Sequence, residues 1–189
     1  MSIQHVARHG KVYHLQSKPG KNGKLNYSFS RKPDGAPVDT IPKGFEIYET
    51  VRGQVFLRLI QPKLITDQEL QMVRTALNAV AEEWKHKIEI RKNQIFIHAA
   101  QSLGFGFGTD MGSWLSPQKI KEFEINNATY MLEMRFSLVD AEKRIFLPER
   151  FCYRGSVEDW IDIGSPDTLP KLLKKFFKHL GKDSLYELY

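Results

Sequence analysis

The sequence predicts an α+β fold in which antiparallel β-hairpins form a meander, and a long central helix and a C-terminal amphipathic helix pack on the sheet. Three observations predict this class. Short segments that alternate polar and apolar residues follow one another, separated by turns rich in Gly, Asn and Asp. Two longer segments instead repeat apolar residues at steps of three and four. Hydrophobic residues make up 41% and charged residues 26% of the 189-residue chain, which is ordinary for a globular protein.

The first strands are predicted between residues 11 and 60. The best pattern among them is 24–30, where alternation puts Leu25, Tyr27 and Phe29 on one face. We expect these three side chains to belong to the core. Further strands of this segment are predicted at 12–16, 45–50 and 54–60.

The most strongly periodic segment follows Pro62. Thr66 and Glu69 form a capping-box pattern, which starts a helix expected to run to about Lys85. Its apolar stripe is Leu70, Val73, Leu77, Val80 and Trp84. We place a boundary here, between a basic N-terminal β lobe at 1–62 and an α+β lobe at 63–189, and the same pattern is compatible with one continuous domain.

A hairpin is predicted immediately after this helix, with its turn at Lys92 and Asn93. Its register places Ile90 opposite Ile95, Ile88 opposite Ile97, and Lys87 across from His98. A glycine-rich loop, a short helix at 116–123 and strands at 129–139, 144–153 and 157–163 follow.

The strand at 129–139 alternates strictly, so we expect Glu133 and Arg135 to face solvent and to pair with each other. The last helix begins near Asp167, with leucines and phenylalanines on one face and lysines on the other. Gly181 is expected to end it.

Composition excludes several classes of protein. The single cysteine, Cys152, rules out an internal disulfide framework and a Cys-rich zinc site, and it fits a reducing cytoplasm. The N-terminal residues lack the apolar core of a signal peptide, and no apolar run reaches bilayer-spanning length. We therefore expect a cytoplasmic protein that does not bind membranes.

The N-terminal charge pattern is the best functional clue. The first thirty-two residues hold seven basic side chains and no acidic one, within a chain of net charge +6. Lysines on a hairpin can neutralise phosphates and release counterions, which gives sequence-independent affinity for nucleic acid. The candidate nucleic-acid-binding residues are Lys18, Lys21, Lys24, Arg31 and Lys32. The alternative interpretation is that lysines at an edge hairpin only prevent sheet-to-sheet aggregation.

The glycine-rich stretch Gly104 to Phe107 resembles the Gly-Phe-Gly-Phe centre of the RNA-recognition motif, whose aromatic rings stack on bases. The neighbouring residues depart from that motif: Leu103 replaces a basic residue, Gly108 an aliphatic one and Asp110 an aromatic one. No Gly-Lys-Ser or Gly-Lys-Thr follows, so a phosphate-binding loop is not favoured. We favour a loop whose phenylalanines pack on the core.

Four polar residues are candidates for a hydrolytic or metal site: His98, Asp110, Glu133 and Glu149. None of them belongs to a spaced ligand motif. We therefore assign no catalytic residue, no metal ligand and no cofactor, and we do not favour an enzyme.

The stretch 35–49, continuing at 54–58, resembles a group of uncharacterised bacterial proteins, and the stretches 149–156 and 179–186 resemble the same group. No activity is known for that group. The resemblance implies a bacterial cytoplasmic protein and says nothing about mechanism.

Three functional hypotheses follow. The first is a non-enzymatic nucleic-acid-binding or accessory protein that uses the basic N-terminal hairpin. The second is a protein–protein interaction module that docks through an edge strand of the N-terminal lobe. The third is a small metal-dependent hydrolase.

Overall fold

The computed structural model of the chain describes residues 2–32, 34–101, 116–154 and 157–188. It combines helices with antiparallel sheets, which confirms the α+β class. The chain divides into two compact units, unit 1 at Met1–Pro62 and unit 2 at Lys63–Tyr189. The glycine-rich stretch, with the predicted loop and Asp110, lies outside the described residues.

Twelve strands and three helices are described. The strands are β1 (Gln4–Val6), β2 (Val12–Pro19), β3 (Leu25–Ser30), β4 (Ala36–Pro37), β5 (Phe45–Glu49), β6 (Val55–Leu59), β7 (His86–Arg91), β8 (Gln94–Gln101), β9 (Thr129–Asp140), β10 (Ile145–Arg154), β11 (Val157–Asp162) and β12 (Asp167–Thr168). The helices are α1 (Asp67–Val80), α2 (Pro117–Asn127) and α3 (Leu169–Phe176), and short 3₁₀ turns lie at Glu83–Lys85, Phe177–His179 and Asp183–Leu185.

Unit 1 is built around β2, which pairs antiparallel with β1, β3 and β4. The hairpin of β5 and β6 forms a separate two-stranded sheet. The expectation that the apolar face of β3 lies in the core is wrong for Leu25, which is 55% exposed, and Tyr27 and Phe29 are only half-buried. Leu25 is exposed because it is the first residue of β3, which is an edge strand, and it lies next to an exposed turn.

The sheet of unit 2 is an antiparallel meander in the order β11-β10-β9-β8-β7, and β12 also pairs with β10. The predicted register of the β7–β8 hairpin is confirmed, including Lys87 opposite His98. Ile95 and Ile97 are fully buried on the face that α1 and α3 cover. The isoleucine pattern therefore identified the core face of this hairpin.

Helix α1 starts with a reciprocal capping box, in which Thr66 accepts a hydrogen bond from the Glu69 backbone N–H and Glu69 accepts one from the Thr66 N–H. The helix ends at Val80, so the expected continuation to Lys85 is wrong. The backbone is already extended at Ala81. This early end allows β7 to begin at His86 and pair with β8.

The core of unit 2 joins the two helices to one face of the sheet. Val73 and Leu77 of α1 and Leu172 and Phe176 of α3 belong to the same buried cluster as Phe136 of β9. Gly181 has a φ of +67°, a left-handed conformation that suits glycine and ends the helical segment. None of the described helices is long and apolar enough to cross a membrane.

An irregularity in β9 overturns the expected position of Glu133. Met134 pairs with Ile97, but the next pair is Leu132 with His98, so Glu133 is the extra residue of a β-bulge. The bulge breaks the two-residue alternation. Glu133 is consequently buried instead of solvent-facing.

Candidate functional site

The tip of the β2–β3 hairpin is an ordered turn. The Gly20 N–H donates to the Lys24 carbonyl at 2.7 Å, and the Gly23 N–H donates to the Gly20 carbonyl at 3.0 Å. Gly23 has a φ of +74°, which favours glycine at that point of the turn. Lys21 and Lys24 are exposed on this turn, so their ammonium groups are accessible to a partner.

Lys18 differs from the other candidate residues because it is already paired. Its ammonium lies 2.6 Å from Asp34 Oδ2, and Asp34 also accepts a hydrogen bond from the Gln16 amide. The hydrogen bond from Lys18 holds the pKa of the Asp34 carboxyl below its usual value. The Asp34 carboxylate therefore partly neutralises the positive charge of Lys18 near the hairpin tip.

The other two candidates lie at the opposite end of β3. Arg31 and Lys32 follow Ser30 directly and are exposed. Six strand residues at about 3.3 Å each separate them from the tip by roughly 20 Å. The five predicted residues thus form two groups, at the two ends of one edge strand.

The charge of the chain is distributed unequally between the units. Unit 1 contains ten Lys or Arg and four Asp or Glu, and unit 2 contains eighteen of each class. The entire net charge of +6 therefore belongs to the first 62 residues. In the described part of unit 1, seven exposed basic side chains form no ion pair with a carboxylate: Lys11, Lys21, Lys24, Arg31, Lys32, Lys43 and Arg52.

One carboxylate of unit 1 ties its N-terminal segment to β5. Glu49 accepts hydrogen bonds from the backbone N–H and the Nε of Arg8, and lies 3.1 Å from His5 Nε2. Burial acts to raise the pKa of the Glu49 carboxyl, but these contacts outweigh it and lower the pKa. Arg8 is therefore engaged within the unit.

Unit 2 carries a separate set of buried polar groups on the sheet face opposite α1 and α3. His98 Nε2 lies 3.0 Å from Glu89 Oε2, and Arg91 donates two hydrogen bonds to the same carboxylate. Burial acts to raise the pKa of Glu89, but the contacts with His98 and Arg91 outweigh it and lower the pKa. Farther along this face, Arg135 and the Ser137 hydroxyl donate to Glu149.

These contacts correct the expected pairing of Arg135, whose partner is Glu149 and not Glu133. They also separate the candidate hydrolytic residues. His98 and Glu149 are bound to other partners on one face, and Glu133 lies on the helix-covered face. The residues that the structure describes include no group of three or more His, Cys, Asp or Glu that could hold a metal ion.

The bulge instead brings Glu133 to His86. Glu133 Oε2 lies 3.7 Å from His86 Nε2, which is too long for a hydrogen bond, and both side chains are 7% exposed. The other carboxylate oxygen accepts a hydrogen bond from the Gly181 N–H at 2.5 Å. Within the described residues, both ring nitrogens of His86 and Glu133 Oε2 are buried without a hydrogen-bond partner.

Sequence reasoning missed this pair because its members are 47 positions apart and a bulge is needed to join them. It missed the Lys18–Asp34 pair for a different reason. Strand β2 and the segment after β3 are adjacent only because β4 returns to pair with β2. The available signal in the sequence was Asp34, the first acidic residue after the basic hairpin, which is a natural partner for one of the hairpin lysines.

The chain was also compared with known proteins. No family model, no curated protein and no solved structure matched it.

Proposed function

We propose that the protein binds nucleic acid non-enzymatically through unit 1. The observation that supports this proposal is the charge distribution, because unit 1 carries the whole net charge of +6 while unit 2 is neutral. Lys21 and Lys24 at the hairpin tip, and Arg31 and Lys32 at the far end of β3, are the proposed contacts. Lys18 is a secondary contact because Asp34 competes for its ammonium.

The spacing of the two groups suggests how a strand could be held. At about 3.4 Å per nucleotide along one strand, a separation of roughly 20 Å corresponds to about six nucleotides. Asn26 and Ser28 lie between the groups and are exposed, so they can hydrogen-bond to phosphate or sugar oxygens. Such contacts position a nucleic acid without reading its sequence.

A salt titration tests this proposal. Binding of random-sequence DNA and RNA to the full chain is measured by fluorescence anisotropy from 50 to 200 mM salt. We expect the logarithm of the affinity to fall linearly with the logarithm of salt concentration. Replacing Lys21 and Lys24 together by Glu should weaken binding at least tenfold and make the slope shallower by about 2.

The matched control is Lys143→Glu with Lys182→Glu, which makes the same charge change on exposed residues of unit 2. It should leave binding within about twofold, because neither residue belongs to the proposed surface. The proposal fails if the unmodified chain does not bind at 50 mM salt. It also fails if both double variants lose the same affinity.

A second candidate function is peptide docking at β3. Among the described strands, β3 pairs only with β2, so its outer edge can accept an additional strand. The backbone groups of Ser28 face β2, so the outward N–H groups of β3 belong to the alternate residues, among them the exposed Leu25. Replacing Leu25 by Pro would remove one outward N–H from β3 and disfavour strand addition. This candidate would be preferred if a protein partner bound independently of salt and lost binding with that replacement.

We also propose a cytoplasmic location, since a lone unpaired cysteine suits a reducing compartment.

A further inference from the structure

An apolar groove lies on the surface of unit 2 between α1 and the segment formed by α3 and the following 3₁₀ turn. Its volume is about 740 Å³. One wall consists of Met72, Ala76 and Ala79 from α1, and Leu173 and Phe177 line the opposite side. The last two side chains are almost completely buried in the core. The apolar floor of the groove is therefore formed by side chains that also belong to the core.

The groove carries positive charge along one side. Among the residues that the structure describes, Lys174 and Lys178 line it and no acidic residue does. Both lysines are exposed, and neither forms an ion pair with a carboxylate in the described part of the chain. Lys171 on the same helix is by contrast paired with Asp167. Lys174 and Lys178 are thus two cations, four positions apart, beside an uncovered apolar surface.

We propose that this groove binds an acidic amphipathic helix of a partner protein. The apolar stripe of that helix would lie on the groove floor, and two carboxylates four residues apart on its flank would meet Lys174 and Lys178. The α1 residues that line the groove extend from Gln68 to Val80, which is roughly 18 Å at 1.5 Å per residue. This length accommodates about three turns of a bound helix.

The shape of the groove favours a helix over a small molecule. Ligand pockets for small molecules enclose most of the ligand surface, whereas this groove is open along its length between two helices. A third helix placed there would pack against α1 and the α3 segment together. The inference concerns unit 2 only, so it goes beyond the nucleic-acid proposal and does not depend on it.

A display experiment with the full chain tests the proposal. The probe is a library of 14-residue helices on yeast, with apolar residues at helical spacing and all residue types allowed on the flanks. We expect sorting to enrich Asp or Glu at two flank positions four apart. Lys174→Glu with Lys178→Glu should weaken binding of the selected helices at least tenfold and, in a new sort, should enrich Lys or Arg at those positions.

Two further variants control the experiment. Lys143→Glu with Lys182→Glu reverses two charges outside the groove and should bind as the unmodified chain does. Ala79→Glu places a carboxylate on the exposed wall of the groove while keeping a good helix former, and should abolish binding without loss of helix signal in circular dichroism.

Several results would overturn the inference. One is the absence of any enriched acidic helix with the unmodified chain, and another is equal binding by the Lys174/Lys178 double variant. A third is a chain that binds no helix but does bind phosphatidylglycerol vesicles, and loses that vesicle binding with Ala79→Glu. That outcome would assign the groove to an anionic membrane surface.

Discussion

Asp34 controls how much charge the hairpin tip can offer to a polyanion. Its carboxylate holds the Lys18 ammonium at 2.6 Å and also accepts a hydrogen bond from Gln16. Both members of the ion pair are exposed, so the pair is weak and a phosphate can compete for the lysine. Asp34, sixteen positions after Lys18 in the sequence, therefore determines whether the Lys18 ammonium is available to contact nucleic acid.

We expect Asp34→Asn to strengthen nucleic-acid binding, because it releases Lys18 and raises the charge of unit 1 by one. The Asn oxygen can still accept the Gln16 hydrogen bond, which preserves the local structure. In the anisotropy titration, affinity at low salt should rise and the salt slope should become steeper by up to about 1. Asp39→Asn makes the same charge change without releasing a paired lysine and should have a smaller effect. Unchanged binding by Asp34→Asn would show that Lys18 is not a contact.

Glu133 is the second residue whose surroundings depend on the tertiary structure, because the bulge in β9 buries it. We expect Glu133→Gln to be tolerated within about 1 kcal/mol, since its amide oxygen can still accept the hydrogen bond from the Gly181 N–H. Glu133→Leu should cost about 2 kcal/mol, because it removes the acceptor of the Gly181 N–H. Urea denaturation at pH 7 measures both changes. Equal destabilisation by the two variants would contradict this account.

At the scale of elements, α1 is tied to the sheet by the carboxylate that also caps it. Glu69 accepts hydrogen bonds from Thr66 and from Arg144, which follows β9 in the turn to β10. Burial acts to raise the pKa of Glu69, but the hydrogen bonds from Arg144 and Thr66 outweigh it and lower the pKa from its usual value of 4.5. The start of the helix and the turn of the hairpin are thus joined by one ionised group.

This arrangement predicts a specific pH dependence. Because the pKa of Glu69 is lower in the folded state, its contribution to stability is complete above pH 4.5 and is lost as the pH falls through the folded-state pKa. Glu69→Gln should lower the free energy of unfolding by about 2 kcal/mol at pH 7 and by less near pH 3. Urea denaturation at both pH values measures this difference.

The matched control is Asp67→Asn, which changes an exposed carboxylate in the same helical turn. It should change the free energy of unfolding by less than about 0.5 kcal/mol at either pH. A Glu69→Gln effect that is the same at pH 7 and pH 3 would contradict the proposed ionised role.

For the whole molecule, the separation of charge between the units is the main functional observation. Unit 2 is neutral and contains a continuous core of its own, from Ile65 to Leu185. Unit 1 is strongly basic and has a smaller buried set that includes Leu15 and Val55. The proposed functions follow this separation, with nucleic acid on unit 1 and an acidic helix on unit 2.

We expect a fragment of residues 63–189 to fold cooperatively and to show no salt-dependent binding of nucleic acid. Its own core supplies the stability, and it lacks the net positive charge of the full chain. Circular dichroism with urea denaturation tests folding, and the anisotropy titration tests binding. A folded fragment that binds as tightly as the full chain would move the interface away from unit 1.

The sequence by itself determined the α+β class, the β7–β8 register and the location of the positive charge. These properties depend on neighbours close in the chain: alternation, helical spacing, turn residues and composition. The tertiary structure alone decided the end of α1, the bulge at Glu133 and the partners of Lys18 and Arg135. Each of these depends on which distant strand lies alongside, because pairing can override local helix propensity and insert a residue that reverses the side-chain alternation.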